Sequence, residues 1–209
     1  MRLPPARATS ALLGLTVAAW VLAIVTGVGD YAAIAGGFIA ARLGGTLELA
    51  GAVPVWLTPL TATLIHAGAI HLIFNMVMLG YCGRFSEIVL GRKGLLALYV
   101  AGAYAAAFAQ YLADPLDRTP MVGASGAVSA VLGAYALLYG RQRAAVGHAG
   151  LNSLLHIAWL AAAWIGLQLL IGFASAGSGM TIAIAAHIGG FLAGLALTRP
   201  LLDWRFRDA

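Results

Sequence analysis

Ser125 lies between glycines in Gly123-Ala124-Ser125-Gly126, and His187 lies in Ala186-His187-Ile188-Gly189-Gly190. A serine hydroxyl becomes a nucleophile when a neighbouring base takes its proton, and an imidazole is the usual base. His71 and Asn75 are four residues apart, so a helix would carry both on one face. Their N–H groups are the kind of donor that stabilises an oxyanion as it develops. Serine, histidine and a set of donors are the parts needed for acyl transfer, provided that something brings them together.

The composition restricts what that can be. The chain has 209 residues, of which 62% are hydrophobic and 9% charged, and its mean hydropathy is +0.93. A soluble domain carries about 25% charged residues, so a soluble enzyme is excluded. A bilayer core about 30 Å thick needs a run of about 20 apolar residues. Six such runs occur, at Ala11–Gly29, Leu60–Tyr81, Gly94–Ala113, Gly123–Tyr139, Leu154–Ala174 and Met180–Leu197. They imply an all-α membrane protein, a single six-helix bundle over residues 1–209. The first run follows Arg2 and Arg7, but it is too long for a signal-peptide core and lacks a clear small-residue cleavage site.

The net charge of +5 fits a membrane better than a nucleic acid. With the N-terminus inside, all of the 12 Lys and Arg residues except Arg42 and Arg118 fall on the inner side. Positive residues collect on the cytoplasmic side of spans, so both termini are expected to be cytoplasmic. No basic patch is left over for a polynucleotide. Cys82 has no second cysteine to pair with and reads as a packing residue. No cysteine cluster suggests a structural zinc, and no cofactor is implied.

Between the first two runs, Tyr31–Ala41 and Leu49–Leu57 are apolar but too short to cross. They read as a partly inserted or interfacial loop on the outer face, with Trp56 as an interfacial anchor. The fourth run is short, so a helix starting below the surface would leave a water-accessible dip above it.

Polar residues inside a span are costly and need a reason. His66, His71 and Asn75 fall in the second run, Gln110 in the third, Ser125 and Ser129 in the fourth, His156 and Gln168 in the fifth, and His187 in the sixth. At 1.5 Å per residue, His71, Ser125 and His187 all come within about 10–16 Å of the outer boundary. His187, Gly190 and Gly194 share one helix face, and Ser125, Ser129 and Gly133 another. Small residues let helices approach closely in lipid, so the faces carrying Ser125 and His187 can meet. Taken singly, His66 and His156 read as helix–helix hydrogen-bonding groups, and Ser129 as a serine bonded back to the preceding turn.

Three motifs, His71-x-x-x-Asn75, Gly123-x-Ser125-Gly126 and Ala186-His187-x-x-Gly190, occur in order on the second, fourth and sixth runs. Together with Glu87 and Gly91 after the second run, they resemble the rhomboid family of intramembrane serine proteases, of bacterial type, most strongly over residues 56–197. The resemblance implies a Ser125–His187 dyad, with Asn75, His71, Gly123 and the Ser125 N–H forming the oxyanion site. It makes Gly126, Gly190, Gly194, His66 and Glu87 supporting residues. No Asp or Glu lies in a span near the pair, which also points to a dyad without an acid. The Ser125 N–H would lie at a helix N-terminus, where unpaired N–H groups favour negative charge.

The activity so implied is endopeptidase cleavage in or near the transmembrane segments of membrane proteins, in a multi-pass protein of the bacterial inner (plasma) membrane. The partners implied are transmembrane substrates and membrane lipids. Two positions depart from the family: Trp56 is followed by Leu57 rather than Arg, and Ser129 stands where an aromatic often stacks on the histidine. A rhomboid-like protein that binds membrane clients without cutting them is the alternative, although it would be expected to lack Ser125 or His187. A transporter would continue its polar row across the full depth, whereas the inner half of these runs is almost wholly apolar.

Overall fold

A computed structural model describes residues 5–140, 149–175 and 182–207. Arg2, Arg141, Arg143 and Met180, used above for topology and for the start of the sixth run, lie outside the described residues. The architecture is helical: α1 (Arg7–Thr26), α2 (Gly29–Gly36), α3 (Ala40–Leu43), α4 (Thr58–Thr61), α5 (Ala69–Met78), α6 (Arg84–Ala113), α7 (Ser125–Tyr139), α8 (Ala149–Ser175) and α9 (Ile184–Arg205). Helices α6, α7 and α9 pack most closely on one another. Leu95, Leu98, Val131 and Ala130 are fully buried between α6 and α7. By contrast, α8 carries a mostly exposed apolar surface, as a lipid-facing helix does.

The first helix begins before its apolar run because a distant carboxylate caps it. Glu87 accepts the N–H groups of Ala8 and Thr9, at 2.9 and 2.8 Å, and the Thr9 hydroxyl at 2.8 Å. These are N–H groups that a helix start leaves without a partner, and a negative charge there also suits the helix dipole. Gly27 closes the far end in the left-handed conformation, which glycine adopts without steric cost.

The second run differs from the sequence reading. Leu60–Leu64 belongs to a short helical turn, residues 65–68 are not helical, and the helix proper starts at Ala69. His66 is therefore in a connection and not on a span, and His71 lies in the first turn of α5 rather than far below its start. The second and third runs are not separated by a loop. A π-turn at Leu79–Gly83 carries α5 directly into α6, giving a continuous stretch of 45 residues. Gly91, with φ 74° and ψ 169°, interrupts it and leaves two halves that are each of span length. A positive φ is costly for any residue with a Cβ.

The loop between α1 and α5 is held by backbone pairing. Phe38 and Met121 exchange N–H···O bonds of 3.0 and 2.8 Å, and the Ala41 N–H reaches the Asp117 carbonyl at 3.0 Å. Phe38, Ile39, Ala40 and Ala41 are buried, so the first short apolar piece is inserted into protein. The second piece is not a helix beyond the single turn Val55–Leu57. Trp56 there is exposed, and its carbonyl accepts the Tyr104 hydroxyl at 2.9 Å.

Candidate active site

The three reactive side chains come from helix starts. Ser125 is the first residue of α7, His187 is in the first turn of α9, and His71 is in the first turn of α5. The first few N–H groups of a helix have no partner within it. Helix starts gathered at one end of the bundle therefore present both reactive groups and unpaired donors to the same space.

Glycines allow the close approach. A Cβ at Gly190 would collide with the Gly126 carbonyl oxygen, one at Gly194 with the Ala130 carbonyl oxygen, and one at Gly133 with the Phe191 carbonyl oxygen at 2.5 Å. Helices α7 and α9 thus touch backbone to backbone. At the top of that seam the Ser125 Oγ lies 2.9 Å from His187 Nε2. Gly126 faces Ala106 of α6 just as tightly.

The other side of the His187 ring is occupied by Gln168, a polar residue of the fifth apolar run. Gln168 of α8 places its Oε1 3.0 Å from His187 Nδ1. An amide oxygen only accepts, so Nδ1 carries the proton and Nε2 is free to accept the Ser125 hydroxyl. Trp164, one turn earlier on α8, donates its indole N–H to the His187 carbonyl at 3.2 Å. Trp164 also stacks on Phe191 of α9, with centroids 4.9 Å apart and planes 13° apart. Gln168 was visible as a polar residue in a span, but its partner is on another helix.

The segment leading into α7 is fixed from below. The Gly123 N–H donates to the Ala62 carbonyl at 2.9 Å, and the Ala124 N–H points at His66 Nε2 at 3.4 Å. Gly123 has φ 115°, and a Cβ there would lie 2.6 Å from the His71 ring. The His66 and His71 rings are 5.0 Å apart. Asn75 is buried and donates one amide hydrogen to the His71 carbonyl at 2.9 Å, which leaves its second amide hydrogen unspent. A cavity of about 10 Å³ beside Ser125, Gly126, Met121 and Thr63 has room for roughly one water.

Two single-residue readings change. Ser129 makes no side-chain hydrogen bond among the described residues; it packs against Gly190 instead. His156 is buried with neither ring nitrogen bonded among the described residues, so it is not the hydrogen-bonding group expected. Cys82 is buried and free. Among the described residues no three His, Cys, Asp or Glu side chains converge to hold a metal ion.

Comparison with known proteins agrees with the motifs. The chain is 34% identical to Rhomboid-related protein 2 of Mus musculus over 137 residues, 64% of this chain and 44% of that protein. It is 31% identical to Rhomboid protease GlpG of Enterobacter sp. (strain 638), over 66% of this chain and 45% of that protein. It is also 31% identical to Rhomboid protease GluP of Bacillus subtilis (strain 168), over 69% of this chain and 27% of that protein. The chain thus spans less than half the length of each of these relatives. The family description "Rhomboid domain" matches residues 54–204, from the turn before α4 to the end of α9, and with that the chain belongs to the rhomboid family of multi-pass membrane proteins.

Proposed function

We propose that this protein is an intramembrane serine endopeptidase that cleaves single-span and other membrane proteins in or near their transmembrane segments, using a Ser125–His187 dyad. The observation that carries the proposal is the relay from Ser125 Oγ through His187 to Gln168, with steps of 2.9 and 3.0 Å. Two relatives are named as rhomboid proteases, which supports the same reading.

In this mechanism the Ser125 hydroxyl attacks the substrate carbonyl while His187 Nε2 takes its proton. The oxyanion is received by the Ser125 N–H at the start of α7, by the spare Asn75 amide hydrogen and by the His71 ring. Gly123 and Gly126 leave the backbone accessible to the scissile carbonyl. His187 then protonates the leaving amine, and water cleaves the acyl enzyme with His187 again acting as base. Gln168 holds the imidazole in the tautomer this needs, in the position that a carboxylate occupies in a triad. A neutral acceptor stabilises the imidazolium less than a carboxylate does, so a slow enzyme is expected.

The excess of basic residues on one side supports N- and C-termini in the cytoplasm and a dyad near the outer face. A biotinylated fluorophosphonate tests the nucleophile. It should modify Ser125 in the wild-type protein, and modification should be lost in His187→Ala. Labelling at another serine, or labelling indifferent to His187, would overturn the assignment.

A further inference from the structure

At the end of the bundle opposite Ser125, the break at Gly91 opens a groove of about 650 Å³ between the two halves of the α5–α6 stretch and the end of α9. Its lining is of two kinds. Arg92, Lys93 and Arg205 supply positive charge, and Leu90, Leu96 and Trp204 supply apolar surface. Among the described residues no acidic side chain lines it, and the buried carboxylate of Glu87 is spent on the start of α1. Arg205 is partly committed, because its Nη1 donates to the Ile88 carbonyl at 2.7 Å, close to where the helix breaks. Arg92 and Lys93 are exposed and make no hydrogen bond or ion pair among the described residues. The helix half that restarts after Gly91 also directs the positive end of its dipole this way.

We propose that this groove is a binding site for an anionic phospholipid, with the phosphate between Arg92, Lys93 and Arg205 and the acyl chains along Leu96 and Trp204. Three observations favour a lipid as the occupant. The groove lies at the end of membrane-length helices, where headgroups are. Its charge is complementary to a phosphodiester that bears no compensating cation. Leu96 and Trp204 are both exposed and continue the cationic floor into apolar surface, which a soluble anion would not use. Trp and Arg together are the residues that settle at a bilayer interface, and basic pockets on the cytoplasmic side of helix bundles hold anionic headgroups. Because Arg205 bonds the broken helix while it lines the groove, an occupant would also brace the junction of the second and third spans.

The test is native mass spectrometry of the delipidated full chain, titrated with dioleoyl-phosphatidylglycerol or with dioleoyl-phosphatidylcholine. Phosphatidylglycerol is expected to bind at least tenfold more tightly. The double variant Arg92→Gln, Lys93→Gln should lose roughly tenfold of that affinity or more, whereas Arg118→Gln, at the Ser125 end, should lose none. Inorganic phosphate at millimolar concentration should not displace the lipid. Equal affinity for the two lipids, an unaltered double variant, or displacement by phosphate would each overturn the proposal. A thermal melt of the double variant without lipid, matching wild type, separates loss of the site from loss of the fold.

Discussion

The amide oxygen of Gln168 on α8 lies 3.0 Å from Nδ1 of His187 on α9, so a neutral side chain occupies the position beside the imidazole where a Ser-His-Asp triad keeps an acid. Gln168→Met removes the acceptor while nearly conserving volume. It should lower kcat about tenfold or more by releasing the ring from its productive tautomer, with KM little changed because the Gln168 amide oxygen is engaged by His187. Steady-state cleavage kinetics check this. A rise in KM at constant kcat would instead place Gln168 in substrate binding.

Gly190 and Gly194 set the distance between the helices that carry Ser125 and His187. Gly190→Ala puts a methyl group against the Gly126 carbonyl, and neither backbone can yield without moving Ser125 or His187. Overpacking of this kind costs about 1–3 kcal/mol, and cleavage should be nearly abolished. Gly166→Ala on α8 is the matched control, since nothing lies within 4 Å of the added Cβ. It should leave both melting temperature and activity at wild-type values.

Gly123 combines a left-handed φ of 115° with a close His71 ring. Gly123→Ala is therefore strained in two ways. It should cut activity by at least about a hundredfold, as loss of an oxyanion donor does, because the Ser125 N–H is displaced with the loop. Fluorophosphonate labelling rates of the variant and wild type measure this without a peptide substrate.

Glu87 joins the start of α1 to α6 by three hydrogen bonds. Hydrogen bonds to a charged group contribute a net of about 1.5–3 kcal/mol each. Glu87→Ala should lower the thermal midpoint in detergent by several degrees, and Thr9→Val, which removes only the hydroxyl contact, by less. Activity per folded molecule should hold in Thr9→Val, since neither residue reaches Ser125.

Spans were legible wherever an apolar run had polar ends, as with α1 and α7. The break at residues 65–68 was not, because His66 and Gly68 sit within a run whose hydropathy never falls far enough to end a helix. The continuity from α5 to α6 was hidden for the opposite reason. Arg84, Ser86 and Glu87 look like loop residues, but Ser86 and Glu87 are buried, and Glu87 has its partners on α1, far away in sequence. At the site, glycine spacing indicated which faces of α7 and α9 could meet. The common level of His71, Ser125 and His187 has a different cause from counting down each run, since each stands in the first turn of its helix. The Gln168 contact depends on the rotation of α8 about its own axis, and a helix apolar nearly all round carries little record of that rotation.

The most direct measurement is cleavage of a single-span reporter co-reconstituted with the protein in liposomes, comparing wild type with Ser125→Ala and mapping the cut by mass spectrometry. Wild type should give one principal cut near the Ser125 side of the membrane, and Ser125→Ala no detectable product. Undiminished cleavage by the Ser125→Ala protein would show that Ser125 is not the nucleophile.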